Sequence, residues 1–254
     1  MGHQSSTSES MQEVPMSMMD DDTARRLVAL NARFYDQLAE PFAASRATPQ
    51  PGYEQLAGYL PPLKVMDVLD VGCGNGRFGR YLLDLGRETR YTGVDFSARL
   101  MATGGDIPGD RRRRDLSLPD ALAGLGDYDL IACLSTLQHI PGRANRRRLL
   151  REMGEHLRPD GRLILANWQF LDSPRQRRKL RPWPEAGFTD EQVEPGDWLL
   201  SWERGGAGLR YVALIDEAAM RDLAEYAGLR PVDLFRSDGR EGDLNLYAVM
   251  AKNG

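Results

Sequence analysis

Cysteine is scarce in this chain. Two occur among 254 residues, Cys73 and Cys133, which excludes a disulfide scaffold and a zinc site built on cysteine. Both sit in apolar, strand-like runs and read as buried free thiols of a reducing compartment. Long apolar runs are missing too, since no stretch approaches the roughly 18 residues that a membrane span needs. Residues 1–22, MGHQSSTSESMQEVPMSMMDDD, lack the apolar segment of a secretory signal and read as a disordered tail. A cytoplasmic protein without membrane contact is expected. A basic excess is also absent. The net charge is −4 and the isoelectric point about 5.5, which argues against a protein that coats nucleic acid uniformly. What is present, 41% apolar and 8% aromatic residues, is enough for one large α/β domain with additions or for two small ones.

Residues 23–60 read as a helical cap. Leu27, Leu30, Phe34, Leu38 and Phe42 recur at helical spacing, and the broken stretch SRATPQPG leads to a second helix. From residue 61 onward short apolar runs alternate with amphipathic segments. VMDVLDVG, RYTGVDFS, DYDLIACLSTLQHI and GRLILANW are strands, GRFGRYLLDLG and NRRRLLREMGEHLRPDG are helices, and RRRRDL supplies a short extra strand. Such alternation predicts parallel βαβ units in a doubly wound sheet. The ending differs. RPVDLF and LNLYAVMAK flank the polar turn RSDGREGD and form a hairpin, so one of the last two strands runs antiparallel. Residues 169–209, rich in Pro, Trp, Arg and Gly, read as a loop-like insertion on the substrate side.

The stretch DVLDVGCGNGRFGRYL, from Asp67 to Leu82, contains Gly74-Asn75-Gly76-Arg77-Phe78-Gly79, a literal dinucleotide fingerprint. If the strand ends at Val71, however, Gly72 is the first turn glycine, and the sixth fingerprint position falls on Arg77. The in-register pattern is D-x-G-x-G-x-G, on Asp70, Gly72, Gly74 and Gly76. A carboxylate at the strand tip repels a diphosphate and attracts the ammonium and sulfonium of S-adenosylmethionine. Asp95, at the end of the second strand, is placed for the ribose hydroxyls, and Asp115, after the next short strand, for the adenine amino group. Phe96, Leu116 and Leu134 complete the cofactor-binding set.

VLDVGCGNG, YTGVDFS, DYDLIACLSTLQHI and LRPDGRLIL together resemble the class I methyltransferases. The resemblance implies an α/β, doubly wound, seven-stranded Rossmann-like sheet ordered 3-2-1-4-5-7-6 with strand 7 antiparallel, which agrees with the terminal hairpin. A narrower resemblance lies outside these motifs. FYDQLAEPFAASRATPQP, GDWLLSW, LRYVALIDEAAMRDLAEYAGL and LYAVMAK look like the tRNA wobble-uridine methyltransferases, which esterify a carboxymethyl group on the anticodon uridine. It departs from them at Gln138-His139, where the family often has two histidines, and at Arg210-Tyr211-Val212, where the aromatic pair is reduced. By this resemblance Tyr35 and Arg46 of the cap lie near the cofactor's methionine carboxylate, and Trp202, Arg210 and Tyr211 form the acceptor wall. The family also implies tRNA and a small activator subunit as partners.

A carboxylate acceptor needs no deprotonation near neutral pH, whereas an amine or hydroxyl usually wants a base. His139 is the histidine nearest the expected site, as acceptor-orienting group or base, or alternatively as a packing residue. Three basic runs stand out, at 111–114, at 143–148 and within 175–181. The first two read mainly as solvated surface. The third follows the fifth strand beside Trp168, Phe170 and Trp183, and there Arg177, Arg178 and Trp168 are the expected RNA contacts. A small-molecule O- or N-methyltransferase is the rival reading, and a catalytically silent binding protein a third.

Overall fold

The computed structural model describes residues 18–105, 107 and 109–253. The expected disordered tail falls largely outside these residues, but its last ones are described. Asp20 caps a helix by accepting from the Thr23 amide at 2.8 Å, so α1 (Asp21–Gln37) starts two residues before the expected boundary. After α1 come α2 (Ala39–Ala44) and α3 (Gly52–Leu56), with a 3₁₀ turn to Tyr59, which together make up the helical cap.

Alternation then follows, as the apolar periodicity predicts. The elements are β1 (Val65–Val71), α4 (Arg77–Asp84), β2 (Glu88–Asp95), α5 (Ala98–Ala102), β3 (Asp110–Arg113), β4 (Tyr128–Leu134), α6 (Arg143–Glu155) and β5 (Leu157–Trp168). The insertion contributes α7 (Pro174–Arg177), β6 (Leu180–Arg181), β7 (Asp197–Trp202) and β8 (Gly208–Ala213), before α8 (Glu217–Tyr226), β9 (Leu229–Ser237) and β10 (Asn245–Lys252). The main sheet has the order β3-β2-β1-β4-β5-β10-β9. β10 runs antiparallel to both its neighbours, and the other described pairings are parallel. This is the expected doubly wound order with its reversed strand. No helix among the described residues is long and apolar enough to cross a membrane.

Both faces of the sheet are buried, because side chains alternate along each strand. Leu69, Val71, Ile131, Cys133, Leu163 and Leu165 join one core with Leu149, Met153, Met220 and Leu223 of α6 and α8. Met66, Val68, Leu130, Ala132, Ile164 and Ala166 join the other with α3 and α4, through Tyr53, Leu56, Phe78 and Leu82. That double coverage explains why the strands read as continuous apolar runs.

The segment 169–209 is not a loop. β6, β7 and β8 form a three-stranded antiparallel sheet that docks on α1. Leu199 enters the main core and its neighbour Leu200 packs with Phe170 and Val212, so the strand lacks the polar alternation of a half-exposed one. A buried charge network ties this sheet to the core. Arg146 of α6 meets Glu194 at 3.1 Å and Asp197 at 3.8 Å. It also donates to the Tyr211 hydroxyl at 2.9 Å, which in turn donates to Asp197 at 2.7 Å.

Candidate active site

The turn after β1 sits at the carboxyl edge of the sheet, where doubly wound folds hold ligands. Gly72, Gly74 and Gly76 all have positive φ, at 76°, 52° and 71°, a backbone path that glycine follows without penalty. Asp95 fastens this turn from β2, accepting from the Gly74 amide at 2.9 Å and, through its other oxygen, from the Ser97 amide at 2.9 Å. The Ser97 hydroxyl donates to Asp36 at 3.0 Å, which docks α1 against the same loop.

A cavity opens above the turn. Gly72, Gly74, Asp70, Asp95, Phe96 and Leu134 form one side of it, with Asp115 and Leu116 at one end and Tyr35 and Arg46 of the cap closing over it. Asp70 is 3% exposed. Burial raises its carboxyl to about 7, against the hydrogen bond it accepts from Tyr91 at 2.7 Å. Asp95 is raised to about 6, again by burial. Neither carboxylate has a cationic partner in an ion pair among the described residues, so a cationic ligand in the cavity would favour their ionised forms.

An adjoining cleft carries the reverse sign. Arg210 is 3% exposed and is boxed by aromatic rings, with its guanidinium carbon 4.4 Å from the Trp168 centroid, 5.1 Å from Phe34 and 5.5 Å from Trp202. Its Nε and one terminal nitrogen are buried without a hydrogen-bond partner, and it joins no salt bridge among the described residues. Arg46 lies 3.5 Å over Phe42, and burial together with Arg210 lowers its guanidinium to about 9. His139 lines the cofactor cavity. Its Nδ1 is 3.0 Å from the Tyr211 carbonyl, an acceptor only, so that nitrogen carries the proton. Its Nε2 therefore accepts from the Tyr35 hydroxyl at 3.0 Å. Burial, then Arg210, lower its pKa to about 3, so it stays neutral.

Comparison with known proteins decides what this edge belongs to. Residues 69–163, the stretch from β1 to β5 that builds the glycine turn and most of the cavity floor, match the family model of a methyltransferase domain. The chain carries an S-adenosylmethionine-dependent methyltransferase domain. A protein of Encephalitozoon cuniculi (strain GB-M1) that bears a methyltransferase name is 28% identical, over 87% of this chain and 94% of that one. The tRNA (carboxymethyluridine(34)-5-O)-methyltransferase ALKBH8 of Mus musculus is 28% identical over 53% of this chain, a match that spans 19% of that protein's length. Trans-aconitate 2-methyltransferase of Azoarcus sp. (strain BH72) is 29% identical, over 68% of this chain and 81% of that one. The crystal structure of an S-adenosylmethionine-dependent methyltransferase from Clostridium acetobutylicum superposes with a TM-score of 0.60 at 15% identity, covering 88% of this chain and 98% of that one, and shares its fold.

The methyltransferase cavity suits this cofactor on its own chemistry, since buried unpaired carboxylates favour a cationic ligand and Phe96, Leu116 and Leu134 offer apolar walls to a base. Of the expected cofactor residues, Tyr35, Arg46, Asp70, Gly72, Gly74, Asp95, Phe96, Asp115, Leu116 and Leu134 all line it. Gly76 does not; it precedes α4 with its open side against Ile107. Asp115 is exposed, and one of its oxygens accepts from the Ser117 amide and hydroxyl.

On the acceptor side Trp168 lines both this cavity and an adjoining cleft, where Trp202 and Arg210 also lie. Three expected acceptor contacts are elsewhere. Tyr211 is fully buried in the Arg146–Asp197 network, because neighbours on a strand point to opposite faces and Arg210 takes the cleft face. Arg177 is exposed and donates to the Leu171 carbonyl at 2.7 Å, and Arg178 is exposed outside the cleft. In their place Arg175 and Lys179, on the other side of the same turn, line the cleft. Arg77, which the fingerprint treats as a mismatch, lines both spaces. Tyr91 was also missed, and a tyrosine within a buried strand carries no sequence signal of a partner. The other two basic runs are tied to their own surface, Arg111 to the Met101 and Gly105 carbonyls and Arg147 to Asp222.

Proposed function

We propose that this methyltransferase esterifies a carboxylate, and that the acceptor is the carboxymethyl group of a tRNA wobble uridine. The observation that carries the reading is Arg210. A buried guanidinium without a counter-ion is costly to keep, and a bidentate carboxylate is the ligand that its planar fork suits. His139 supports the same acceptor. It is neutral, and its one lone pair is taken by Tyr35, so it offers no free base to deprotonate an amine or hydroxyl, and a carboxylate requires none.

When bound, adenosylmethionine supplies an electrophilic methyl group. Asp70 would hold its cationic end and Asp95 its ribose. Tyr35, Phe42 and Arg46 close the cap over the reacting centre and exclude water. Trp168 and Arg210 orient the acceptor oxygen, and positioning of this kind supplies much of the acceleration in a displacement. The resemblance to the mouse tRNA enzyme supports the uridine acceptor. The Azoarcus relative, matched over more of both chains, favours a second reading in which the acceptor is a small polycarboxylic acid. The two share the site chemistry and differ in what surrounds the carboxylate.

Transfer of labelled methyl groups into a cell extract, separated into RNA, protein and metabolite fractions, tests the proposal. Alkali-labile label in the tRNA fraction is the expected result, and label confined to metabolites replaces tRNA by the small acid. In either case Arg210→Met should lower kcat/KM by about 30-fold or more, since removing one member of a buried charge pair costs about 2–5 kcal/mol. The melting temperature should stay or rise, because the apolar stem remains and an unpaired buried charge is gone. Undiminished activity in Arg210→Met would remove the carboxylate assignment.

A further inference from the structure

Next to the cofactor cavity, and joined to it at Arg46, Arg77 and Trp168, lies a second and more open cleft. Its cations are Arg46, Arg77, Arg175, Lys179, Arg204 and Arg210, and none of them forms an ion pair among the described residues. Its two acids are already engaged. Asp238 accepts from the Gly52 amide at 2.8 Å, from Asn245 at 2.6 Å and from the Tyr247 hydroxyl at 2.6 Å. Glu203 is paired with Arg181 at 3.4 Å. The cleft is therefore a concentration of positive charge in a chain whose net charge is −4.

Two features make Arg175 and Lys179 more than a solvated rim. Lys179 is half-buried and fixed in place: its carbonyl accepts from the Ser201 amide of β7 at 2.8 Å, and its ammonium donates to Gln176 at 3.0 Å. Burial, then Arg210, Arg175 and Arg46, lower the Lys179 pKa. The chain thus holds an ammonium against like charges, an arrangement that an anion relieves. Second, both residues line the same cleft as Arg210, and none of the three lines the cofactor cavity. An acceptor larger than its reacting carboxylate, held at Arg210, shares the cleft with them.

We propose that Lys179 and Arg175 form a second anion subsite, which holds a further oxyanion of the same acceptor while its reacting carboxylate sits at Arg210. The proposal rests on the carboxylate reading above. The second oxyanion is a phosphodiester if the acceptor is RNA, and another carboxylate if it is a small polyacid. Specificity then comes from a pair of anions at fixed separation: Arg210 addresses the group that is methylated, and the subsite addresses a group that is not.

The test compares acceptors with and without the second anion, using the double variant Lys179→Gln/Arg175→Gln. With an anticodon stem-loop bearing carboxymethyluridine, KM should rise tenfold or more while kcat changes little. With the free carboxymethyluridine nucleoside, which has no phosphate, kcat/KM should fall less than threefold. If a tricarboxylic acid is turned over and RNA is not, the same split between tricarboxylic and monocarboxylic acceptors supports the subsite and assigns a carboxylate to it. Equal effects on all acceptors, or none, would overturn it. Binding gives a readout free of turnover. Anisotropy of the labelled stem-loop should report weaker binding by the variant, with a salt slope shallower by about one for each phosphate no longer neutralised. Arg221→Gln, on the surface of α8, controls for loss of charge alone. If binding behaves so while Arg210→Met leaves activity intact, the carboxylate reading fails and the anion subsite stands; where the stem-loop is the acceptor, an unchanged slope means that the subsite fails whatever Arg210 does.

Discussion

Asp70 makes the site answer to pH. In the empty protein its carboxyl is raised to about 7 by burial, and a cationic ligand binds the ionised form. Affinity for adenosylmethionine should therefore be nearly constant above pH 8 and fall by up to tenfold per pH unit as the pH drops below 7, which calorimetry between pH 8 and 5.5 would show. The effect on stability has the opposite sign. A pKa raised on folding adds stability below the unfolded value near 4 and loses it as the pH rises through 7. At pH 8 the empty protein thus carries the full cost of the buried charge. Asp70→Asn should raise the melting temperature at pH 8 by several degrees, since 1 kcal/mol is worth about 2–4 °C in a chain of this size. The gain should vanish towards pH 4, and cofactor binding should weaken at every pH. His139, held neutral, should add no acid limb near pH 6.5 to the rate.

At the scale of elements, the cap and the second sheet pack as one unit. The tip of the β7–β8 hairpin lies against α1 and α2 so closely that a methyl group on Gly206 would stand 2.6 Å from Leu38, and one on Gly208 would stand 2.9 Å from Phe34. Gly206→Val should lift the hairpin from the cap, speed hydrogen exchange over residues 21–44 and weaken cofactor binding, with little change in the sheet. The helices of the cap, the strand-helix alternation and the terminal hairpin were legible in the sequence, because they follow apolar periodicity and turn chemistry, and the order of the main sheet was implied by the resemblance to class I methyltransferases. So was the failure of the dinucleotide fingerprint. Gly79, which completes that pattern, sits in α4 with its open side 2.9 Å from the Tyr91 ring, so it makes room for the phenol that bonds Asp70. The second sheet was not legible, since its strands are buried on both faces within a Pro- and Arg-rich stretch. Nor was the choice among Arg175, Arg177, Arg178 and Lys179, which depends on how one short turn is rotated.

Over the whole molecule, buried carboxylates without ion pairs gather in the cofactor cavity and unpaired cations in the adjoining cleft, and the net value of −4 conceals both. The buried network of Arg146, Glu194 and Asp197 joins the second sheet to the sheet core, so Arg146→Ala, which strands two carboxylates, should cost about 3–5 kcal/mol. Urea unfolding should remain a single transition, because Leu199, Tyr211 and Ala213 belong to the same core as the main sheet; two separated transitions would show that the sheets fold independently. The sorting of charge also bears on product release. In the proposed transfer a sulfonium becomes a thioether and a carboxylate becomes an ester, so one positive charge on the cofactor and the negative charge at Arg210 disappear in one event. Each product thus carries one charge fewer than its substrate in a site whose unpaired ions, Asp70 and Arg210, favour charged ligands, so the transfer itself weakens the hold on both.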